Sequence, residues 1–318
     1  PPISTLFPYT TLFRSNKVHS HKKDGIMLLQ VTVNGLLMGG VFALIAVGLT
    51  MIHGVMKIVN FAQGDFLVVG LFMTYVLYTF MPEYSLPYWL IFPVAAGMYF
   101  FGMIVFRLVI KRVIGAGDSN YILLTIGLSF IIQNILQLIY GANFRSLPVS
   151  DTLRMGRWEF LGAMLPVSRI VAFAAAAIFV IFVNWFLTKT DIGRAMRATA
   201  ENRVVAESLG IRGGRVYVMA FAIGTMFAGI SGLLLSPVQM IFPTAGAPFG
   251  LVAMSAMVLG GLGNIKGALL GGLIIGMVES FTSTYVSIAL APVAVNLVLV
   301  LVLILKPYGI LGRRRRTS

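Results

Sequence analysis

The stretch KTDIGRAMRATAENRVVAESLGI, residues Lys189–Ile211, carries both signs of charge and good helix formers, and long apolar runs flank it on either side. Stretches of about twenty nearly uncharged residues are what a bilayer core demands, so an island of this kind belongs in water. Its composition suits a segment gripped by a soluble partner. The rest of the chain follows from that contrast.

Of 318 residues, 58% are hydrophobic and 11% charged, with a mean hydropathy of +0.93. Soluble domains carry about 25% charged residues, which excludes a soluble globular class. The 34 glycines suit helices that approach closely in lipid or break partway across. The net charge of +14 is spread over short loops and tails, not gathered on one face, and this excludes nucleic-acid binding. There is no cysteine, hence no disulfide or thiolate metal site. His53 stands far from His19 and His21, so no histidine metal cluster is expected, and no cofactor either.

Spanning segments are expected at 28–50, 60–80, 86–107, 120–140, 166–187, 217–236, 247–262, 267–284 and 286–305. The segment 247–262 is short for a full crossing, so an all-α polytopic membrane protein of roughly eight or nine transmembrane segments, some short or broken, is predicted. Residues 1–26 show no membrane or signal-peptide pattern and read as a non-native or disordered extension; the membrane domain is taken as 27–312 and the basic tail as 313–318. Lys189, Arg194, Arg197, Arg203, Arg212 and Arg215 make 189–216 the cytoplasmic loop. Arg107, Lys111 and Arg112 mark another, Lys266 a tight turn, and Arg313–Arg316 the C-terminus on the same side. Loop 141–165 falls outside, although Arg145, Arg154 and Arg157 weaken the rule there. With Trp158 it reads as an interfacial element, a short hairpin being one form open to it; Trp89 and Trp185 suit interface anchors.

Polar residues inside apolar runs are the candidates for a solute pathway. Thr125, Ser129, Gln133 and Gln137 recur every fourth residue on one helical face, either lining a pathway or bonding helix to helix. Asn60, Gln63 and Asp65 set a carboxylate and two amides beside Gly64, and Asp65 either serves the pathway or caps a helix at the interface. Glu279, with Ser280, Thr282, Ser283 and Thr284 close behind, could meet an amino group at the outer mouth or simply pair at the interface. Gly35 and Gly39; Gly224, Ala228 and Gly232; Gly267 and Gly271; and Gly272 and Gly276 have the spacing of close helix packing. Pro237, Pro243 and Pro248 bracket a break after one span. GGLGNIKG, residues 260–267, has the glycines and lysine of a phosphate loop but not its spacing, so any ATP must be hydrolysed by another chain.

With these motifs the chain resembles the integral membrane permease of bacterial branched-chain amino acid ABC transporters, the first of their two related permease subunits. The resemblance covers Leu28 to Gly312. It rests on Asn34–Gly35 with Gly39, Gly48–Leu49–Thr50, Asn60–Asp65, Gly193–Ala198, Ala206–Ile211, Gly260–Gly267 and Lys306–Gly312. It implies an ABC-importer permease type of fold, not an enzyme, in the bacterial inner membrane. The implied partners are a homologous second permease, two cytoplasmic ATPase subunits and a periplasmic substrate-binding protein that delivers leucine, isoleucine or valine. It also implies that Ala200–Ile211 couples to the ATPase. Glu201, Arg203 and Glu207 would supply polar contacts and Val204, Val205 and Leu209 apolar anchors, with Ala200, Ala206, Gly210 and Ile211 completing the segment. A urea or short-amide permease of the same type is the nearest alternative, and a self-contained channel or secondary transporter the next.

The orientation is directly testable because the chain has no cysteine of its own. The variant Arg197→Cys should react with a membrane-impermeant maleimide in inverted vesicles and stay unlabelled in intact cells; labelling from outside the cell would reverse the topology.

Overall fold

The structure is a computed structural model that describes residues 9–80, 87–115, 117–147, 157–160 and 163–312. Helix α1 runs Tyr9–Met56, with Gly25–Met56 as its apolar length; α2 is Gln63–Phe80, α3 Ile91–Leu108 and α4 Asp118–Tyr140. Strands β1 (Arg157–Phe160) and β2 (Ala163–Pro166) pair antiparallel, with Trp158 opposite Leu165, giving the expected loop 141–165 a hairpin. Then come α5 (Val167–Lys189), α6 (Asp191–Glu201), α7 (Arg203–Ser208) and α8 (Gly213–Leu235). The chain closes with α9 (Gly246–Gly260), α10 (Ile265–Tyr285) and α11 (Ala291–Leu305). Arg154 and Asp151, and the basic tail 313–318, lie outside the described residues.

Among the described residues, eight helices are long and apolar enough to cross a bilayer, and α9 is the shorter apolar one. The chain is thus a multi-pass membrane protein. Helices α1 and α8 form its centre, with 89% and 78% of their apolar windows buried, whereas the window ending at Leu305 is 11% buried. The outer helices turn Ile178, Ile181, Leu297, Val300 and Ile304 outward, as lipid-facing residues should be. Phe66, Phe106 and Phe221 pack edge-on or tilted in the core, centroids 5.8 Å apart, filling space between α2, α3 and α8.

Small residues set the helix spacing. Helices α1 and α10 run antiparallel, and a Cβ on Gly35 or Gly39 would sit 2.9 or 2.8 Å from the backbone Cα of Met277 or Leu273. Where α1 meets α8, a Cβ on Gly48 would lie 2.7 Å from the Gly224 carbonyl oxygen, and one on Gly224 would lie 2.7 Å from that of Gly48. Backbones this close gain dispersion contacts that lipid chains cannot replace. The small-residue spacings at Gly35/Gly39, Gly224 and Gly272/Gly276 are therefore packing surfaces.

Depth follows from these contacts. Helix α8 has 23 residues, about 34 Å at 1.5 Å per residue, so Gly224 sits near the middle of the bilayer. The Gln63 side-chain amide donates to the Gly224 carbonyl at 3.2 Å, which puts the first residue of α2 at mid-depth too. Residues 57–62, non-helical and largely buried, therefore climb back into the protein from the end of α1. Helix α9 mirrors this: a Cβ on Gly246 would meet the Gly64 carbonyl carbon at 2.7 Å, so α9 also starts at mid-depth. Its 15 residues, about 22 Å, lead to the opposite side from the one α2 reaches. Among the described residues, residues 236–245 and the half-length α9 thus lie between the long helices α8 and α10.

One end of the bundle gathers the basic loops. Arg107, Ile192, Arg212 and Arg215 line a common cavity there, and Gly54 approaches Gly263. Ile310 and Leu311 donate backbone N–H groups to Leu259 and Gly260 at 2.9 and 3.1 Å, and the Asn264 amide reaches the Leu311 carbonyl at 2.8 Å. Gly261, at φ +109°, makes the turn that joins them. The 260–267 motif is thus a structural clasp on Lys306–Gly312.

Helix contact through glycine has a measurable cost of disturbance. Gly48→Val should destabilise the detergent-solubilised protein by about 1–3 kcal/mol or prevent its folding, read as a lower thermal midpoint. Gly127→Ala, where an added Cβ meets nothing within 4 Å, should leave that midpoint unchanged or raise it slightly.

Candidate functional site

Three groups of the sequence candidates can be followed into the fold. The first is the water-facing segment at the basic end. Thr190 caps α6, its hydroxyl accepting from the Gly193 N–H at 3.1 Å, and Asp191 pairs with Arg194. The expected coupling segment Ala200–Ile211 is divided at Asn202, whose extended backbone ends α6 and whose side chain caps α7 by accepting from the Val205 N–H at 3.2 Å. Gly210 closes α7 at φ +84°, and the Ile211 N–H donates back to the Ala206 carbonyl at 3.0 Å. Ala200 and Glu201 end α6.

This short helix is held from beneath and open above. Ala206 is buried and Ile211 packs on the core, while Arg203 donates to Glu207 at 2.9 Å and lies 5.3 Å over the Tyr217 ring of α8. The bond to Glu207 first, and Tyr217 next, raise the Arg203 pKa above its ordinary value, so it stays charged. Val204, Val205 and Leu209 are 73%, 53% and 76% exposed. Three apolar side chains standing outward on a polar segment form an anchor set that no described residue of this chain covers. Behind them, Tyr99, Met103, Arg107, Ile192 and Arg215 line a cavity of about 670 Å³ between the segment, α3 and α8.

The second group is the mid-depth junction. Asn60 Oδ1 accepts from the Ala62 N–H at 3.2 Å, Asn60 Nδ2 donates to Gln63 Oε1 at 3.3 Å, and Gln63 donates onward to Gly224. Both amides are fully buried and spend their hydrogen bonds holding the returning loop. Asp65, one turn into α2, is buried and accepts from Gln133 Nε2 of α4 at 2.9 Å; Gln133 also donates to Ser129 at 3.1 Å. The polar face of α4 divides accordingly. Ser129 and Gln133 serve Asp65, Thr125 bonds its own helix at Tyr121, Asn134 bonds Phe130, and Gln137 is exposed.

The third group lies at the other end of the bundle. Glu279 of α10 is half-buried, and its Oε2 is buried without a hydrogen-bond partner. Within electrostatic reach of it is a residue the sequence reading passed over, Arg169 of α5, which donates to Asn34 Oδ1 of α1 at 3.3 Å. The signal was present: Arg169 is a charge placed just inside an apolar span, where charges are rare and costly.

Comparison with known proteins agrees with this architecture. A family described as branched-chain amino acid transport system / permease component matches residues 31–306. The chain belongs to that family. The permease is 33% identical over 304 residues to the high-affinity branched-chain amino acid transport system permease protein LivH of Escherichia coli strain K12, covering 91% of this chain and 96% of that one. BraD of Pseudomonas aeruginosa, a protein of the same description, is 31% identical over 294 residues, covering 90% and 96%. LivM of Escherichia coli strain K12 is 24% identical over 301 residues, covering 86% of this permease and 68% of that chain. No solved structure is a significant match.

The Asp65 junction should be energetically specific. Gln133→Leu leaves a buried carboxylate without its interhelical donor and should cost about 1–3 kcal/mol, seen as a lower thermal midpoint. Asn134→Leu, which alters an exposed amide on the same helix, should not lower it.

Proposed function

We propose that this permease is the pore-forming subunit of an ATP-driven importer in the bacterial inner membrane, carrying leucine, isoleucine and valine inward. It acts beside a homologous second permease, with two ATPase subunits on the cytoplasmic side and a periplasmic substrate-binding protein outside. The observation that carries the coupling reading is the exposed triad Val204, Val205 and Leu209 on a capped helix fastened to α8. An apolar knob with a polar rim, Glu201 and Arg203–Glu207, suits a groove on a soluble partner. The basic end of the bundle is then cytoplasmic by the positive-inside rule.

The mechanism follows from the mounting of that knob. The α6–α7 segment joins α5 to α8, and α8 in turn packs against α1, α2 and α3. Movement imposed on α7 by closing ATPases would pass through Tyr217 and Ile211 into α8, whose midpoint bears on the loop that starts α2. The start of α2 at Gly64 and that of the half-length α9 at Gly246 meet where the solute must change sides, and a glycine contact can slide with little steric cost. Asp65, Ser129 and Gln133 belong to the same depth and are the polar groups assigned to that pathway, alongside Thr125 and the structural amides Asn60 and Gln63. No step of this cycle asks the permease itself for bond-making chemistry.

Leu209→Asp and Val205→Asp should each weaken ATPase retention by roughly 30-fold or more while leaving the permease inserted. Co-purification in mild detergent and leucine uptake by the reconstituted complex are the measurements. Uptake of urea instead of leucine would reassign the substrate, and leucine flux through the permease without ATPase subunits would replace the whole reading by a self-contained carrier.

A further inference from the structure

The end of the bundle opposite the basic loops holds a charge arrangement that packing does not complete. Arg169 on α5 and Glu279 on α10 lie within electrostatic reach of one another. The ion pairs among the described residues are Asp191–Arg194 and Arg203–Glu207, so these two opposite charges stand apart, beyond salt-bridge distance. Each keeps an unused buried atom: Arg169 Nε and Glu279 Oε2 have no hydrogen-bond partner, and neither has the Ser168 hydroxyl beside them. Buried polar atoms are nearly always paired, and an ionised group left unpaired in a membrane protein is costlier still. Three such atoms, on two helices that both pack against α1, mark a place built for something that supplies both a donor and an acceptor.

We propose that Arg169 and Glu279 form a binding site for the zwitterionic head of an α-amino acid, the carboxylate bonding to the Arg169 guanidinium and the ammonium to Glu279. The proposal rests on the importer reading above and names the part of the pathway that recognises the substrate class. A guanidinium matches a carboxylate through parallel N–H donors, and an ammonium satisfies a carboxylate oxygen that has no donor of its own. Asn34 holds one guanidinium nitrogen through its side-chain oxygen, and Ser280 donates to the Val31 carbonyl at 2.8 Å, so α1 fixes both neighbouring helices at this level. The Ser168 hydroxyl is a further group for the head.

The surroundings suit an aliphatic tail. Leu37, Met38, Val41, Ala172 and Leu235 line a cleft beside Arg169 with room of about 10 Å³, that of a single water. In this conformation the cleft is contracted, and α1, α5 and α8 must separate for a branched side chain to enter. Both charged residues are half-buried near the mouth of the bundle, where an arriving solute reaches them first. A urea or neutral amide could not satisfy both charges, so the site discriminates by head-group charge.

Two measurements test this in the complete reconstituted transporter. Arg169→Gln and Glu279→Gln should each raise the KM for leucine uptake at least about tenfold, with ATPase subunits still retained, and the double variant should recover nothing. A merely structural pair behaves oppositely, because removing both charges relieves the one left unpaired. Recovery of uptake in the double variant, or unchanged KM in both single variants, overturns the proposal while leaving the importer reading intact. Failure of the unaltered complex to take up leucine sinks the importer reading instead. Should the variants not fold, competition against labelled leucine on the unaltered permease in nanodiscs decides. 3-Methylbutylamine, lacking the carboxylate, and 4-methylpentanoate, lacking the ammonium, should each compete at least about tenfold worse than leucine. Equal competition by either one-ended analogue overturns the two-charge site.

Discussion

A helix that stops half-way through a bilayer exposes N–H groups where no water can satisfy them, and this permease does so twice. Hydrocarbon tolerates such interruptions only when protein encloses them. Here the enclosure is made by backbone against backbone, Gly64 against Gly246 and Gly48 against Gly224, with Asn60 accepting the Ala62 N–H and Gln63 tying the returning loop to the Gly224 carbonyl of α8. Any side chain at those glycines would push the half-helices apart and uncover the polar groups. The burial of α1 and α8 at the centre, and the thin outer layer of α4, α5 and α11, follow from the need to surround that junction.

The polar features divide by depth along the same axis. At the basic end, capping residues Thr190 and Asn202 and the turn at Gly210 hold a short helix away from the bilayer, with apolar anchors turned outward. At mid-depth, Asp65 is tied across to α4. At the far end, Arg169 and Glu279 each keep a buried polar atom without a partner. Helix α8 connects the first two levels mechanically, through Tyr217 under Arg203 at one end and Gly224 above Gln63 at its middle. A central helix that touches both the α7 segment and the mid-depth junction links the two levels, since packed interiors shift as units and do not deform smoothly.

Much of this was legible from residues alone, for definable reasons. Long uncharged runs reveal spans because lipid forbids isolated charge, and the mixed polarity of Lys189–Ile211 announces a segment in water. The exposed positions of Val204, Val205 and Leu209 agree with the apolar interleaving read there. Less legible was the division at Asn202, because a residue able to end one helix and cap the next looks in sequence like any polar helix residue. Arg169 escaped notice for a related reason: a lone charge near a span boundary reads as an interface anchor until its partner is known.

The amino-acid order by itself determined the membrane class, the water-facing segment, and the glycine-lined faces, since each depends on local composition and on helical periodicity. Only the tertiary structure decided that α2 and α9 begin in the middle of the membrane, that Asn60 and Gln63 brace the backbone there, and that Arg169 and Glu279, far apart in the chain, come within electrostatic reach on helices packed against α1. Those facts depend on which backbone carbonyl or side chain stands opposite a given residue. That opposition is set by packing between helices separated by more than a hundred residues, and no local pattern encodes it.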